Sequence, residues 1–230
     1  MKQIQYDGFE LEHFDSAKNF RKYQLYLIKP YLKGSFLEVG AGSGGLTSLY
    51  KKFLKKITLI EPDNKHFKIL KSKFKKDKKK IFIKNCLLKN IKEKFDVIIY
   101  FDVLEHIKND LNEVEIAKRR LKKGGYLIFN VPAFQEFYSD FDKSVGHFKR
   151  YNKKDFKKIS KHTSLKIHKL SYYDSIGFFF LFLSKLFLTK QTNLKNKVLF
   201  WNLLIPVSKI IDFLTLNKCG KSLLCVFKND

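Results

Sequence analysis

Proline and glycine are scarce, 4 and 11 among 230 residues, which leaves little room for disordered linker and favours continuous regular elements. Cysteine is scarcer still. Cys86, Cys219 and Cys225 form no CxxC pair and stand at no ligand spacing with histidine, so neither a disulfide framework nor a zinc site is indicated. No metal centre is expected, and a reducing cytoplasm is the simple inference. Acidic residues are few, 22 against 47 basic ones, for a formal charge of +25. Such an excess invites nucleic acid or an anionic membrane. The lysines are nevertheless spread through most of the chain and rise together with Asn, Ile and Phe, as an AT-rich coding bias would also produce. The densest run, Lys71 to Lys80, carries seven lysines and reads as a solvated helix end and loop. Long apolar runs are missing too. Met1 to Asp15 lacks the apolar centre of a signal peptide. Ile176 to Leu188 is interrupted by Ser184 and Lys185, and as a helix would span about 20 Å, short of a bilayer core. No transmembrane segment is expected.

What is present is enough apolar sequence for one domain: 44% hydrophobic and 30% charged residues, with no internal repeat. From Ser35 onward, short apolar runs alternate with helical patterns, the mark of βα units on a largely parallel sheet. The expected strands are Ser35 to Gly40, Ile57 to Glu61, Ile81 to Lys84, Phe95 to Tyr100, Tyr126 to Val131, Leu165 to Tyr173 and Leu223 to Lys228. The fourth has the continuous apolar character of a strand buried on both faces. Helices are expected over Gly44 to Leu54, after a cap at Asn109 or Asp110 up to Gly124-Gly125, and over Asp155 to His162. The fold expected is therefore a doubly wound α/β domain with a mostly parallel seven-stranded sheet. A helical cap (1–34), a core (35–173), an apolar helical insertion (174–221) and the last strand (222–230) would divide it. The insertion holds two apolar stretches, Ile176 to Leu188 and Val198 to Leu216, the second broken at Pro206. It reads as an extra helical layer on the sheet edge or in a dimer. The alternative is a lid or membrane-touching surface, suggested by Phe178, Phe179, Phe180, Phe182 and Phe187 near Lys185 and Lys190.

In such a sheet, ligands bind beyond the carboxyl ends of the strands, where strand order reverses. The residues there are Glu38 to Gly45, Glu61-Pro62-Asp63, Asn85-Cys86, Phe101 to His106 and Asn130-Val131-Pro132. The first loop, LEVGAGSGGLT, has glycines that let the backbone turn tightly and approach a ligand. Gly40, Gly42 and Gly45 also satisfy the GxGxxG spacing of a dinucleotide site, with Glu61 at the right distance for a ribose. The glycines alone do not choose. Glu38 does help, because a carboxylate two residues before the first glycine suits a cofactor bearing an ammonium and a sulfonium better than a pyrophosphate.

The ordered series FLEVGAGSG, LIEPD, FDVIIYFDVLEHI and LKKGGYLIFNVPA resembles the motifs of class I S-adenosylmethionine-dependent methyltransferases. ELEHFDSAKNFRKY before it, and FYSDFDKSVGHFKRYNKKDF, YYDSIG and GKSLL behind it, are similar to a bacterial type 11/12-like subgroup whose acceptors are mostly unassigned. The resemblance implies that Gly40, Ala41, Gly42 and Gly44 line S-adenosylmethionine, with Glu38 near its ammonium. It implies that Glu61 accepts both ribose hydroxyls beside Pro62, and that Phe101 and Asp102 pass along the cofactor. Many relatives carry an acidic residue after the third strand to meet the adenine amino group. This chain has Asn85-Cys86, whose side-chain or backbone groups would have to substitute.

Methyl transfer from a sulfonium is mostly alignment and exclusion of water, and a base is needed only if the acceptor must lose a proton. His106, in DVLEH, and His147, in GHFKRY, are the candidates, with packing against backbone as the plain alternative for His106. Arg150 and Tyr151 would hold an anionic or hydroxyl-rich acceptor, unless Asp142 and Arg150 merely tie the loop together. Glu105 reads as a capping or orienting residue. The leading expectation is an enzyme acting on a small-molecule, saccharide or lipid-linked acceptor, cytoplasmic or peripheral at the membrane, its oligomeric state open. RNA methylation is the alternative favoured by charge, although no NPPY-like tetrapeptide follows the fourth strand. A cofactor-binding scaffold without catalysis is a third reading, and a dehydrogenase a fourth.

Overall fold

In a computed structural model, residues 16–187 and 194–230 are described. Seven strands form one sheet: β1 Ser35–Val39, β2 Lys56–Ile60, β3 Ile81–Lys84, β4 Phe95–Phe101, β5 Leu121–Pro132, β6 Lys166–Tyr173 and β7 Ser222–Lys228. Their spatial order is β3-β2-β1-β4-β5-β7-β6, with β7 antiparallel to both neighbours and the other pairs parallel. Strand order reverses between β1 and β4, which puts the crevice where the ends of those two strands diverge.

Helices cover both faces of the sheet. They are α1 Lys18–Ile28, α2 Gly45–Tyr50, α3 Asn64–Lys73, α4 Asp110–Arg119, α5 Asp140–Ser144, α6 Lys153–Thr163, α7 Ser175–Phe187 and α8 Leu194–Leu214. Along β4 the side chains alternate between the two layers: Val97, Ile99 and Phe101 join the core beneath α1 and α8, while Ile98 and Tyr100 join that beneath α4 and α6. That alternation is why the strand reads as unbroken apolar sequence. The helix starts are set by polar side chains. Asp63 accepts the His66 N–H at 2.9 Å, and Asn152 with Asp155 closes a capping box on α6.

Two expected boundaries move. The helix before Gly124-Gly125 stops at Arg119, and β5 already begins at Leu121. Leu121 pairs with Phe95 and is buried, while Gly125 packs so close to the Asp96 carbonyl that a Cβ would sit 2.9 Å from it. Pro206 was expected to break its apolar stretch, yet α8 runs through it. A proline deprives the carbonyl four residues earlier of its helical donor. Here that carbonyl, on Asn202, accepts from Asn19 Nδ2 at 3.1 Å, and the Asn202 side chain caps α1 by accepting the N–H groups of Asn19 and Phe20 at 2.9 and 3.1 Å. The proline defect has become the joint between α8 and α1.

A second joint is polar and buried. Asp212 of α8 accepts from Tyr23 Oη at 2.9 Å and from the N–H groups of Asp174 and Ser175, and Asp174 accepts from Trp201 Nε1 at 2.8 Å. The inner face of α8 is thus Val198, Trp201, Ile205, Ser208 and Asp212, at helical spacing.

Asp96 ties the bottom of β4 to β1 and β5, accepting from Ser35 N–H and Oγ at 2.7 Å each and from Lys122 Nζ at 2.9 Å. Partial burial opposes its ionisation, but Lys122 and Ser35 prevail and hold its pKa at about 2. A depressed carboxyl stabilises the fold above its unfolded pKa, and the contribution is lost as pH falls through the folded one. Asp96→Asn should cost about 1–2 kcal/mol at neutral pH. Urea melts should show that difference shrinking between pH 4 and pH 2; a constant difference would mean the charge plays no part.

Candidate active site

The chain leaves β1 at Gly40, whose N–H bonds the Ile60 carbonyl at 2.9 Å. Gly40 has a φ of +66°, and a Cβ there would lie 2.6 Å from Val103 Cγ2, so both conformation and space demand glycine. Gly42 follows and donates its N–H to Glu61 Oε2 at 2.8 Å, while Glu61 Oε1 takes the Asp63 N–H at 2.9 Å. Both oxygens of Glu61 are therefore aimed by backbone, each with lone pairs to spare for a ligand hydroxyl. Burial raises its pKa, and the two backbone bonds work against that. Glu38, also buried, has Oε2 held by the hydroxyls of Thr47 and of Tyr50, the latter at 2.5 Å.

Beyond β4, Asp102 adopts the left-handed conformation, φ +56°, a strain of about 1–3 kcal/mol for a non-glycine residue that the surroundings must impose. They do so through Asn130. Its carbonyl accepts the Asp102 N–H at 2.9 Å and its Nδ2 donates to Asp102 Oδ1 at 2.7 Å, while Tyr173 Oη fixes Asn130 Oδ1 at 2.6 Å. Arg21 of α1 places Nη1 3.8 Å from the other carboxylate oxygen. Loss of hydration inside the crevice raises the Asp102 pKa, although its side chain is 44% exposed to the cavity, and Arg21, His147 and Asn130 oppose that shift.

The single turn Leu104–His106 then faces the loop after α5. Asp142 is fully buried and is gripped by Arg150 through Nε and Nη2, each at 2.9 Å. The same carboxylate bonds His147 Nδ1 at 2.8 Å, which fixes the ring and directs Nε2 to within 3.9 Å of Glu105 Oε1. Burial alone would raise Asp142, but His147 and Arg150 pull it down to about 2. Glu105 is 1% exposed with neither oxygen hydrogen-bonded, and burial, with Asp102 and Asp142 adding, pushes its pKa well up. The His106 ring stands edge-on to His147, centroids 4.7 Å apart; burial and then His147 lower its pKa to about 4, so it is neutral near pH 7.

One cavity of about 630 Å³ joins these groups, within the range of about 300–1,000 Å³ usual for small-molecule sites. Of the residues expected at the cofactor, it is lined by Glu38, Gly40, Ala41, Gly42, Glu61, Pro62, Cys86, Phe101 and Asp102; of those expected at the acceptor, by His106, His147 and Arg150. Three lie elsewhere. Gly44 starts α2 with a φ of +75° and packs on Phe74 and Leu70 instead of the cavity. Asn85 uses Nδ2 to hold the carbonyls of Glu61 and Pro62 at 2.8 and 3.1 Å, bracing the turn behind Glu61. Tyr151 is fully buried, its hydroxyl bonded to the Leu104 carbonyl at 3.2 Å and Asp110 at 3.0 Å, so it supports the Leu104–His106 turn from behind.

Sequence reasoning missed Arg21 and Lys221 on the cavity wall and gave Glu105 only an orienting role. The burial and isolation of Glu105 carry no local sequence signal, because they depend on Asp142 and Arg150, which arrive from far along the chain. Lys221 Nζ lies over the Trp201 ring at 4.0 Å, and burial lowers its pKa against the pull of Asp174. It is where the inner face of α8 meets the cavity.

A doubly wound sheet with a glycine turn, a buried carboxylate after β2 and one crevice at the strand-order reversal defines the class I methyltransferase architecture. Residues 11–170 match a methyltransferase domain family, and the chain belongs to it; S-adenosylmethionine is its methyl donor. Solved structures share the fold. An S-adenosylmethionine-dependent methyltransferase from Clostridium acetobutylicum ATCC 824 superposes with a TM-score of 0.61 at 14% identity, over 92% of this chain and 91% of that one. Geranyl diphosphate C-methyltransferase from Streptomyces coelicolor A3(2), solved with geranyl diphosphate and S-adenosylhomocysteine, gives 0.67 at 9% identity, over 100% and 86%. A methyltransferase of Haloferax volcanii, in complex with the activator Trm112, gives 0.64 at 12%, over 98% and 99%. A comparison of the sequence with curated proteins gives no match.

Proposed function

We propose that this enzyme methylates a lipid-linked or saccharide-type small-molecule acceptor seated between the cofactor rim and the histidine pair. The carrying observation is that Glu61 with the Gly40–Gly42 turn, and His106 with His147, open on the same cavity. When bound, S-adenosylmethionine supplies a methyl group on a sulfonium that is already a good electrophile. Glu61 holds the ribose hydroxyls by accepting from both, Glu38 and Asp102 face the cationic end, and Pro62 and Cys86 give an apolar wall to the adenine. His147, aimed by Asp142, and His106 orient the acceptor at the far end of the cavity. Arg150 offers Nη1, buried and without a partner, to an anionic or hydroxyl oxygen.

The lipid-linked form is favoured by the outer face of α8. Leu203, Ile210, Phe213 and Leu214 are 61–77% exposed along one side, Phe179 of α7 is about half exposed, and Lys209 on α8 and Lys218 just beyond it are exposed too. Among the described residues no helix is long and apolar enough to cross a membrane, so this face would lie on a bilayer surface. The described part of segment 174–221 would then act as a lid, since Lys221, which lies over the Trp201 ring, lines the cavity. Phe187, Leu188 and Lys190, also expected in that surface, lie outside the residues whose side chains are described, as does the motif up to Asp15.

Incubation with methyl-labelled S-adenosylmethionine and fractionated bacterial extract should place the label in the organic-extractable fraction for a lipid-linked acceptor, or in the aqueous low-molecular-weight fraction for a free saccharide. Label confined to RNA would overturn this reading. Vesicles containing anionic lipid should co-sediment with the protein, and Leu203→Glu with Phe213→Glu should weaken that by about tenfold or more. Unchanged sedimentation would remove the membrane-facing role.

A further inference from the structure

Glu105 presents a chemical problem that methyl transfer alone does not solve. A carboxyl group 1% exposed, with neither oxygen in a hydrogen bond to another side chain, forfeits hydration and is only weakly compensated by its own backbone and by Arg150. Arg150, the guanidinium that acts on it, makes its own two-point contact with Asp142 instead. Such a group marks strain, a catalytic role, or a water or ion that completes it.

The neighbours say which ligand. Glu105, His106 and His147 each offer one donor atom, and these atoms lie within 4.8 Å of one another. His147 Nε2 and Glu105 Oε1, at 3.9 Å, are too far apart for a hydrogen bond. They suit two ligands of one ion, because bonds of about 2.0–2.2 Å permit separations up to about 4.4 Å. Modest side-chain rotation closes the rest. On its far side the His147 imidazole is bonded to the buried Asp142, the carboxylate–histidine arrangement that fixes ring orientation and raises basicity at metal centres. The His106 ring is likewise set by a hydrogen bond to the Gly146 backbone.

We propose that Glu105, His106 and His147 bind one divalent transition-metal ion at the acceptor end of the cavity. The ligands are two imidazoles and one carboxylate, a set that suits zinc-like ions over the all-oxygen sites of magnesium or calcium. Three protein ligands leave coordination positions open toward the cavity. A hydroxyl, vicinal diol or other oxygen of the acceptor fits there. The site deepens the acceptor reading given above, and rests on it only for what the open positions meet.

The test uses tag-free full chain and Co²⁺ as a spectroscopic probe. The wild type should show saturable ligand-field absorption at about one equivalent, displaced by Zn²⁺. Glu105→Gln, which keeps size and removes the charge, should weaken Co²⁺ binding by at least about 100-fold, and Asp142→Asn by about 10–100-fold. Calorimetry with S-adenosylhomocysteine on the same samples separates the two levels. A wild type that binds S-adenosylhomocysteine but gives no saturable Co²⁺ bands overturns the metal site and leaves the methyltransferase reading intact. Co²⁺ affinity unchanged in both Glu105→Gln and His147→Ala also overturns it. Site-specific Co²⁺ binding, with label found only in RNA in the transfer assay, upholds the site and sinks the acceptor reading.

Discussion

His147→Ala slows methyl transfer by about 10²–10⁴-fold while leaving S-adenosylmethionine affinity within about twofold of wild type. The split follows from position. His147 bonds Asp142 through Nδ1, and Asp142 is fixed by Arg150 and Ser139, so among the described residues the ring's hydrogen bond comes from α5 and not from the cofactor rim. Removing it leaves Glu61, Gly42 and the β1 turn untouched. Conservative replacement by Gln would retain a polar contact with Asp142 and still lose an imidazole nitrogen facing Glu105. Steady-state kinetics on both variants, with cofactor binding measured by calorimetry, checks the prediction. Unchanged turnover would show the histidine to be packing, and lost cofactor binding would assign it to the wrong end of the cavity.

Glu61→Ala weakens cofactor binding by about 1.5–3 kcal/mol, or about 10- to 150-fold, through loss of charge-assisted hydrogen bonds. Glu61→Gln should lose nearly as much, and the reason is in the donors already present. Gly42 N–H and Asp63 N–H each point at a different oxygen of Glu61. An amide has one oxygen, so its NH₂ would confront one of those N–H groups. Because burial raises the Glu61 pKa, cofactor affinity should also begin to fall at a higher pH than for an ordinary glutamate as the solution is acidified. Affinity flat down to pH 4 would contradict a carboxylate at the ribose.

Much of this fold was legible because local sequence and tertiary role agree. β3 falls at Ile81–Lys84 as expected, and β4 extends the expected strand by one residue, Phe101. Apolar runs bounded by turn residues leave few other choices. The failures are tertiary. Pro206 stays inside a helix because Asn19, distant in sequence, takes up the carbonyl it orphans. β5 starts early because Leu121 finds Phe95.

The site divides the same way. The glycine turn and Glu61 were visible because they sit at strand ends, where topology and chemistry coincide. Tyr151 was placed beside Arg150 by adjacency in sequence, but neighbouring residues of an extended chain point in opposite directions. Arg150 turns to the cavity wall, and Tyr151 turns into the core. Glu105 reads from the sequence as a capping or orienting residue for a different reason: a carboxylate in a helical turn is ordinary, and what sets this one apart is burial among the described residues with neither oxygen hydrogen-bonded.

The most direct test is calorimetric titration of the wild-type chain with S-adenosylhomocysteine and, separately, with NAD. The architecture predicts saturable binding of about one S-adenosylhomocysteine per chain, lost or much weakened in Glu61→Ala, and no heat from NAD. Saturable NAD binding without any for S-adenosylhomocysteine would contradict it, since the glycine turn and Glu61 would then serve a dinucleotide.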